Sequence, residues 1–287
     1  MEIRHKIIDM IRDKRTQIPT LPVIVDKILK AAGDENTTSR DLAGIISTDQ
    51  GITNKTLKLA NSSYYGLAKE VDSISRAITI IGFNEIVNLT LGMTVLSTLQ
   101  QKSSSDMLDI ENLWIHAIGC GLAALEVSKK IEESVSNQIF LAGLLHDTGK
   151  LILALYFSEE YRAVLEEANN SQIFLSLKET EVLGLNHAEI SGLIMERWNF
   201  PDKIRVPAHF HHTSIECPPD FRSQAMVIEL ADYICQKSDV GNSGNPVIAD
   251  VEAISSELGI SEDDVESTIC KINEMRPQIE EFFKLIN

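Results

Sequence analysis

Residues 139–157 read IFLAGLLHDTGKLILALYF. Two seven-residue apolar runs, 139–145 and 151–157, flank His146 and Asp147. A carboxylate set between such runs is costly to bury alone, by several kcal/mol or more, so Asp147 requires a partner. Successive helical residues point about 100° apart. His146 and Asp147 therefore meet one ion only at a helix end, unless the carboxylate bridges two ions.

Two further stretches have the same character. LWIHAIGCGLAAL, residues 113–125, holds His116 as its only ionisable side chain apart from a cysteine. A helix without charge on any face is normally buried on all sides. MVIELADYIC, residues 226–235, places Asp232 inside another apolar helix, with Glu229 one turn earlier. Separated, buried ionisable groups of this kind need a common partner, and a divalent metal is the simplest. Imidazole nitrogen with carboxylate oxygen suits iron, manganese, zinc or nickel. The absence of cysteine ligands argues against a structural zinc. Cys120, Cys217, Cys235 and Cys270 are far apart and form no CxxC pair, which points to reduced, mostly buried thiols.

The rest of the chain sets the frame. Its 287 residues are 44% hydrophobic and 24% charged, an ordinary globular composition that excludes wholesale disorder. With 26 Lys and Arg against 42 Asp and Glu the net charge is −16, which repels nucleic-acid backbones and anionic membranes. No apolar run approaches the roughly 18 residues of a membrane helix. MEIRHKIIDMIRDKR, at residues 1–15, has no signal-peptide core. The expected setting is cytoplasmic, with neither nucleic acid nor membrane as partner.

Apolar residues recur at three- and four-residue spacing, and no period-two stretch is sustained, so an all-α fold is expected. A first helix runs to about Arg15, QIPTLP at 17–22 breaks it, and the next ends at Gly33. Thr38, three residues before Asp41, reads as an N-terminal cap. Asp49 and Ser73 open further helices, and a long one covers 82–98. QKSSSDMLD, residues 101–109, is polar and serine-rich and reads as a linker. Beyond it, helices are expected near 110–131, 136–145, 158–169, 174–184, 187–198, 201–212 and 221–236. The division is an N-terminal bundle at 1–100, a metal-binding core at 110–236 and an acidic extension at 237–287. From Asp250 onward ten acidic residues face three basic ones, which reads as a solvated acidic helix pair.

His116, then His146-Asp147, then Asp232 resembles in order and spacing the HD superfamily of metal-dependent phosphohydrolases, and LAGLLHDTGKL is similar to its central motif. His187 in GLNHAEISG, with His211 and His212, looks like the additional histidines of the binuclear HD-GYP branch. IPTLPVIVDKIL, LAGIISTDQGITNKTLKLANSSYYG and ISRAITIIGFNEIVNLTLG resemble the HDOD family, with LANSSYYG the most specific part. The resemblance covers roughly residues 13–215. It implies an N-terminal helical bundle packed on an HD-type helical core, in a bacterial signalling or regulatory module that acts through protein partners.

The resemblance also implies two divalent ions. One would take His116, His146, Asp147 and Asp232; the other would take His187, His211 and His212, with Asp147 bridging. Coordination positions left open would admit water, a phosphate or a nucleotide. Lys150 stands where the HD-GYP branch has a phosphate-contacting lysine; its plain alternative is a solvated lysine at a turn. Retained ligands with Lys150 and Asp147 in catalytic roles would make a phosphohydrolase or phosphodiesterase acting on a nucleotide, the alternative to the regulatory expectation. Two departures weigh against catalysis: HHTSIECPP has no GYP after His212, and Asn112 stands where some HD-GYP members have a glutamate ligand. Specificity for cyclic di-GMP does not carry over.

Overall fold

A computed structural model describes residues 2–13, 15, 18–100, 107–131, 135 and 138–286. Every regular element among them is helical: α1 (Glu2–Arg12), α2 (Val23–Gly33), α3 (Ser39–Ile46), α4 (Gln50–Ala60), α5 (Ile74–Ile81), α6 (Phe83–Gln100), α7 (Ile110–Ser128), α8 (Ile139–Leu145), α9 (Thr148–Tyr156), α10 (Ser158–Ser171), α11 (Leu175–Leu183), α12 (His187–Arg197), α13 (Asp202–His209), a 3-10 turn at Ser214–Glu216, α14 (Pro219–Lys237), α15 (Glu252–Glu257), α16 (Glu262–Glu274) and α17 (Arg276–Ile286). The fold is all-α and of the HD type. The linker expected at 101–109 lies outside the described residues as far as 106.

The chain forms two compact units, Met1–Ile18 with Lys102–Arg276, and Pro19–Gln101 with Pro277–Asn287. The division differs from three consecutive segments for physical reasons at both ends. α1 buries Ile7 and Ile11 and packs on α12. Arg197 donates to the Ile11 and Asp13 carbonyls at 2.7 and 3.0 Å, satisfying acceptors that the end of α1 leaves over. At the other end, α16 packs on α7 and α14 through Val265, Thr268 and Ile272 and leaves Glu262, Asp263, Glu266 and Glu274 exposed, so it is a solvated acidic helix with one face docked on the core.

In the second unit, α2 to α6 pack as a bundle. Thr38 caps α3 as its spacing from Asp41 requires: the hydroxyl accepts from the Asp41 amide at 3.2 Å, and the Asp41 carboxylate accepts from the Thr38 amide at 2.9 Å. The Asp49 carboxylate does the same for α4.

The first unit is built on α7. Residues 113–124 of this helix are buried on every face, as the missing charge implies. α8 crosses α7 at very short range. A Cβ at Gly143 would sit 2.9 Å from the Cys120 carbonyl oxygen, so only glycine permits the crossing. α14 covers α7 from another side, and α12, α13 and α9 complete the core.

Two expectations need correction. α9 falls in a stretch where the sequence reading places no helix. All its residues from Thr148 to Ala154 are buried, and a helix buried all round shows no periodicity to read. Second, Ile110–Ser128 and Ile139–Tyr156 do reach the length and hydropathy of a membrane span. Both are mostly buried inside the protein, and His146-Asp147 interrupts the second, so packing accounts for their apolar character.

Candidate metal centre

The α8–α9 junction places the central pair. His146 ends α8 in helical conformation (φ −56°, ψ −35°), and Asp147 precedes α9 at φ −97°, ψ 9°. The chain therefore turns between them, and both side chains reach one space. Asp147 is at its centre. Its Oδ2 lies 3.4 Å from His146 Nε2 and 3.9 Å from His116 Nε2. Its Oδ1 lies 3.3 Å from His187 Nε2 and 3.9 Å from His211 Nε2. His116 Nε2 is 3.0 Å from Asp232 Oδ1, and His187 Nε2 is 2.8 Å from His212 Nε2. All seven side chains singled out as ligands, drawn from α7, the α8–α9 junction, α12, the turn after α13, and α14, thus converge.

Hydrogen bonds fix which nitrogen faces the centre. His146 Nδ1 donates to the Gly143 carbonyl at 2.6 Å and His211 Nδ1 to the Ala208 carbonyl at 2.7 Å. His187 Nδ1 donates to the Glu179 carboxylate at 2.6 Å. Each ring then presents a bare Nε2 lone pair inward, the tautomer that a metal ligand needs. His146 Nε2, His211 Nε2 and Asp147 Oδ1 are buried with no hydrogen-bond partner. Three orphaned acceptors in one place would be costly without a cation.

The spacings fit such a cation. Two ligands at about 2.1 Å from one ion lie about 3.0 Å apart at a right angle and about 3.4 Å apart in a tetrahedron. The four short separations, 2.8, 3.0, 3.3 and 3.4 Å, fall close to that range. Among the described residues, three groups each have donor atoms within 4.8 Å of one another: His116, Cys120, His146 and Asp232; His187, His211 and His212; and His146, Asp147 and His211. The buried cluster is compatible with divalent metal binding.

The charges agree. Burial pushes the Asp147 carboxyl up, but His146, Lys150 and His187 overturn this and hold it well below the usual range. Asp232 is likewise lowered, since its bond to His116 outweighs burial. Burial and the neighbouring imidazoles push His211 well down and His212 down to about 3. His211 and His212 are thus held neutral and the carboxylates ionised, whereas His146, although burial pushes it down, is raised by Asp147 and Asp232 beside it.

Lys150 is neither solvated nor open to a ligand. It is only 2% exposed, and its ammonium donates to Asp147 Oδ2 at 2.7 Å and to the Ser243 carbonyl at 2.9 Å. A phosphate-contacting role finds no support in this geometry. Asn112 donates to Asp109. Glu229 accepts from the Ser214 amide and does not join the donor groups. His209 packs against Phe210 and α12 at Gly192.

The structure adds residues that the sequence reading passes over. Glu179 is fully buried and accepts from both the amide and Nδ1 of His187. In LKETEVL it stands between a lysine and a second glutamate, so it reads as part of a solvated face. Its one signal is an acid eight residues before a ligand histidine, across a tight turn. Cys120 Sγ lies 3.3 Å from His116 Nε2. The i, i+4 spacing on one helix was its available signal. Ser191 accepts from the Gly149 amide at 2.8 Å and donates to the His146 carbonyl at 2.7 Å, which joins α12 to the junction.

Glu179→Ala leaves two buried N–H groups on His187 without an acceptor. It is expected to cost about 1–3 kcal/mol in urea unfolding and to weaken metal binding by about 10–100-fold in calorimetric titration. Glu179→Gln, which keeps an acceptor oxygen, should lose less on both measures.

A family model for the HDOD domain matches residues 18–214. An uncharacterized protein of Treponema pallidum (strain Nichols) is 26% identical over 228 residues, 79% of this chain. The chain spans less than half of that relative, 44% of its length. An HDOD domain protein of unknown function from Geobacter sulfurreducens superposes with a TM-score of 0.81 at 21% identity, covering 100% of this chain and 99% of that one. A candidate phosphohydrolase from Shewanella amazonensis SB2B gives 0.75 at 20% identity, covering 99% and 98%. A candidate signal transduction protein from Marinobacter aquaeolei VT8 gives 0.80 at 22% identity, covering 99% and 65%. At these identities the structures establish the fold alone.

Proposed function

Because the chain belongs to the HDOD domain family, we propose that it is a signalling or regulatory protein whose helical core is organised around two divalent ions. The carrying observation is the set of buried, unpartnered acceptors on His146, His211 and Asp147. The two carboxylate oxygens of Asp147 face different imidazoles, which supports a bridging role between two poles. His116, His146 and Asp232 would hold one ion, and His187, His211 and His212 would hold the other. Iron, manganese, zinc and nickel all suit this donor set. The chemistry such ions would supply is positive charge toward an anion such as a phosphate and a water pKa lowered to about 7.

The chain's own residues favour regulation over turnover. Four of the histidines and Asp147 are at most 3% exposed, and Asp232 reaches 8%. Lys150 is engaged within the protein. The centre then stabilises a surface for a protein partner in the cytoplasm. The second reading is a phosphohydrolase, favoured by one observation: His212 is only part-buried and with Asp232 brings the centre closest to solvent. A phosphate or nucleotide would enter on that side.

Elemental analysis of the purified protein is expected to find two equivalents of transition metal. Chelation should lower the melting temperature by about 5–10 °C, since loss of a ligand held at 100 times its Kd removes about 2.7 kcal/mol. Metal-loaded protein is expected to leave phosphomonoesters, nucleotides and cyclic dinucleotides intact. Turnover abolished by His212→Ala would establish the hydrolase instead. A metal-free protein indifferent to chelators would refute both.

A further inference from the structure

We propose that Cys120 is a thiolate ligand at the pole formed by His116, His146 and Asp232, and that it makes this pole selective for borderline and soft divalent ions. The inference rests on the metal-centre reading above and extends it to a residue outside the HD-type ligand set.

Cys120 follows His116 by one helical turn on α7, so both side chains leave the helix on the same face. Its thiol is completely buried. Buried cysteines commonly serve as small apolar side chains, but this one does not point into an apolar gap. Its Sγ lies 3.3 Å from His116 Nε2, the nitrogen that also stands 3.0 Å from Asp232 Oδ1. Its other polar neighbours are the Ala231 carbonyl at 3.9 Å, the outer limit for a sulfur donor, and the buried Cys235 thiol, with which it shares a hydrogen bond. Donor atoms of His116, Cys120, His146 and Asp232 all lie within 4.8 Å of one another. His146 Nε2, buried and without a partner, points into the same space.

The spacing suits sulfur as well as nitrogen. With metal–sulfur at about 2.3 Å and metal–nitrogen at about 2.1 Å, the two donors are separated by about 3.1 Å at a right angle and by about 3.6 Å in a tetrahedron. The observed 3.3 Å lies between. On binding, the S–H bond breaks, its proton leaves to solvent, and the sulfur lone pair forms the metal bond; no oxidant or reductant is involved. Thiolate favours zinc, iron and cobalt over magnesium, calcium and manganese. The opposite pole, built of His187, His211 and His212, has no sulfur in its donor group. The two poles therefore differ in metal preference.

The test uses the full chain, stripped by chelation and reloaded with Co²⁺. Cobalt content is measured directly, and near-ultraviolet absorption reports thiolate-to-cobalt charge transfer. Wild type is expected to show the charge-transfer band. Cys120→Ser and Cys120→Ala should lose it while still binding cobalt at the other pole. Cys235→Ser and the exposed-site variant Cys270→Ser should keep it. The preference for Co²⁺ over Mn²⁺ in competition should fall by roughly tenfold in the Cys120 variants, as a changed ligand sphere does. Bound cobalt without the band in wild type, or a band that survives both Cys120 variants, overturns the thiolate assignment and leaves the metal centre standing. If no cobalt binds, the centre and the assignment fall together.

Discussion

Asp147→Asn is expected to abolish metal binding at both poles, while a ligand variant at one pole, such as His116→Ala, empties only that pole. The difference follows from geometry. Asp147 Oδ2 faces His146 and His116, and Oδ1 faces His187 and His211. An amide keeps the shape but removes the negative charge and turns one end into a donor facing imidazole lone pairs. Residues that merely orient ligands cost about 10–100-fold in affinity, so a shared ligand should cost more than roughly 100-fold. Titration with Co²⁺ or Zn²⁺, followed by elemental analysis, reads this directly. Lys150 complicates the single variant, because its ammonium is left buried with the Ser243 carbonyl alone. An unpaired buried charge costs about 3–5 kcal/mol. Asp147→Asn with Lys150→Met removes both charges and should fold with the better stability, still without metal. One equivalent retained by this double variant would show that Asp147 is not shared.

The second large effect is expected at Gly149, one residue from the phosphate-contacting position assigned from sequence. A methyl group there would overlap the His187 backbone carbonyl. Nothing flexible can move aside, since the atoms met are all His187 backbone and the Gly149 amide is held by Ser191. Gly149→Ala must separate α9 from the first turn of α12. Overpacking costs about 1–3 kcal/mol and sometimes more; against the backbone of His187 we expect at least about 3 kcal/mol, or roughly 10 °C in melting temperature. The same displacement carries His187 away from Asp147, so metal affinity should fall with stability. Ser191→Ala, which leaves the approach open and removes only the hydrogen bonds, should cost about 1–2 kcal/mol. A Gly149→Ala protein as stable as wild type would contradict the close approach.

The ligand side chains were legible because burial makes ionisable residues conspicuous. His116, His146-Asp147 and Asp232 stand in runs with almost no other polarity, and their need for a shared partner can be argued residue by residue. His187, His211 and His212 had no such setting and entered through the family resemblance. The structure nevertheless draws all seven together. Other parts of the interior are less legible. α9 has no solvated face, so its helical period is silent. Glu179 lies among charged neighbours that look solvent-facing, and only tertiary packing turns it inward. HDTGK reads as a turn, which leaves Lys150 either a phosphate contact or a solvated lysine, whereas it lies in the first turn of a buried helix. Cys120 has no informative spacing from another cysteine; its informative spacing is the four residues from His116.

His146 and His211 each give their Nδ1 proton to a carbonyl three residues earlier, Gly143 and Ala208. Those carbonyls belong to the final turns of α8 and α13, where a helix runs out of its own donors. Each imidazole is thus a stopper for a helix end as well as an arm of the centre. Fraying and mis-aiming become one event: neither end can unwind while its ring stays put, and neither ring can swing away without leaving a bare carbonyl behind. The rigidity of the centre is borrowed from the two helices it plugs.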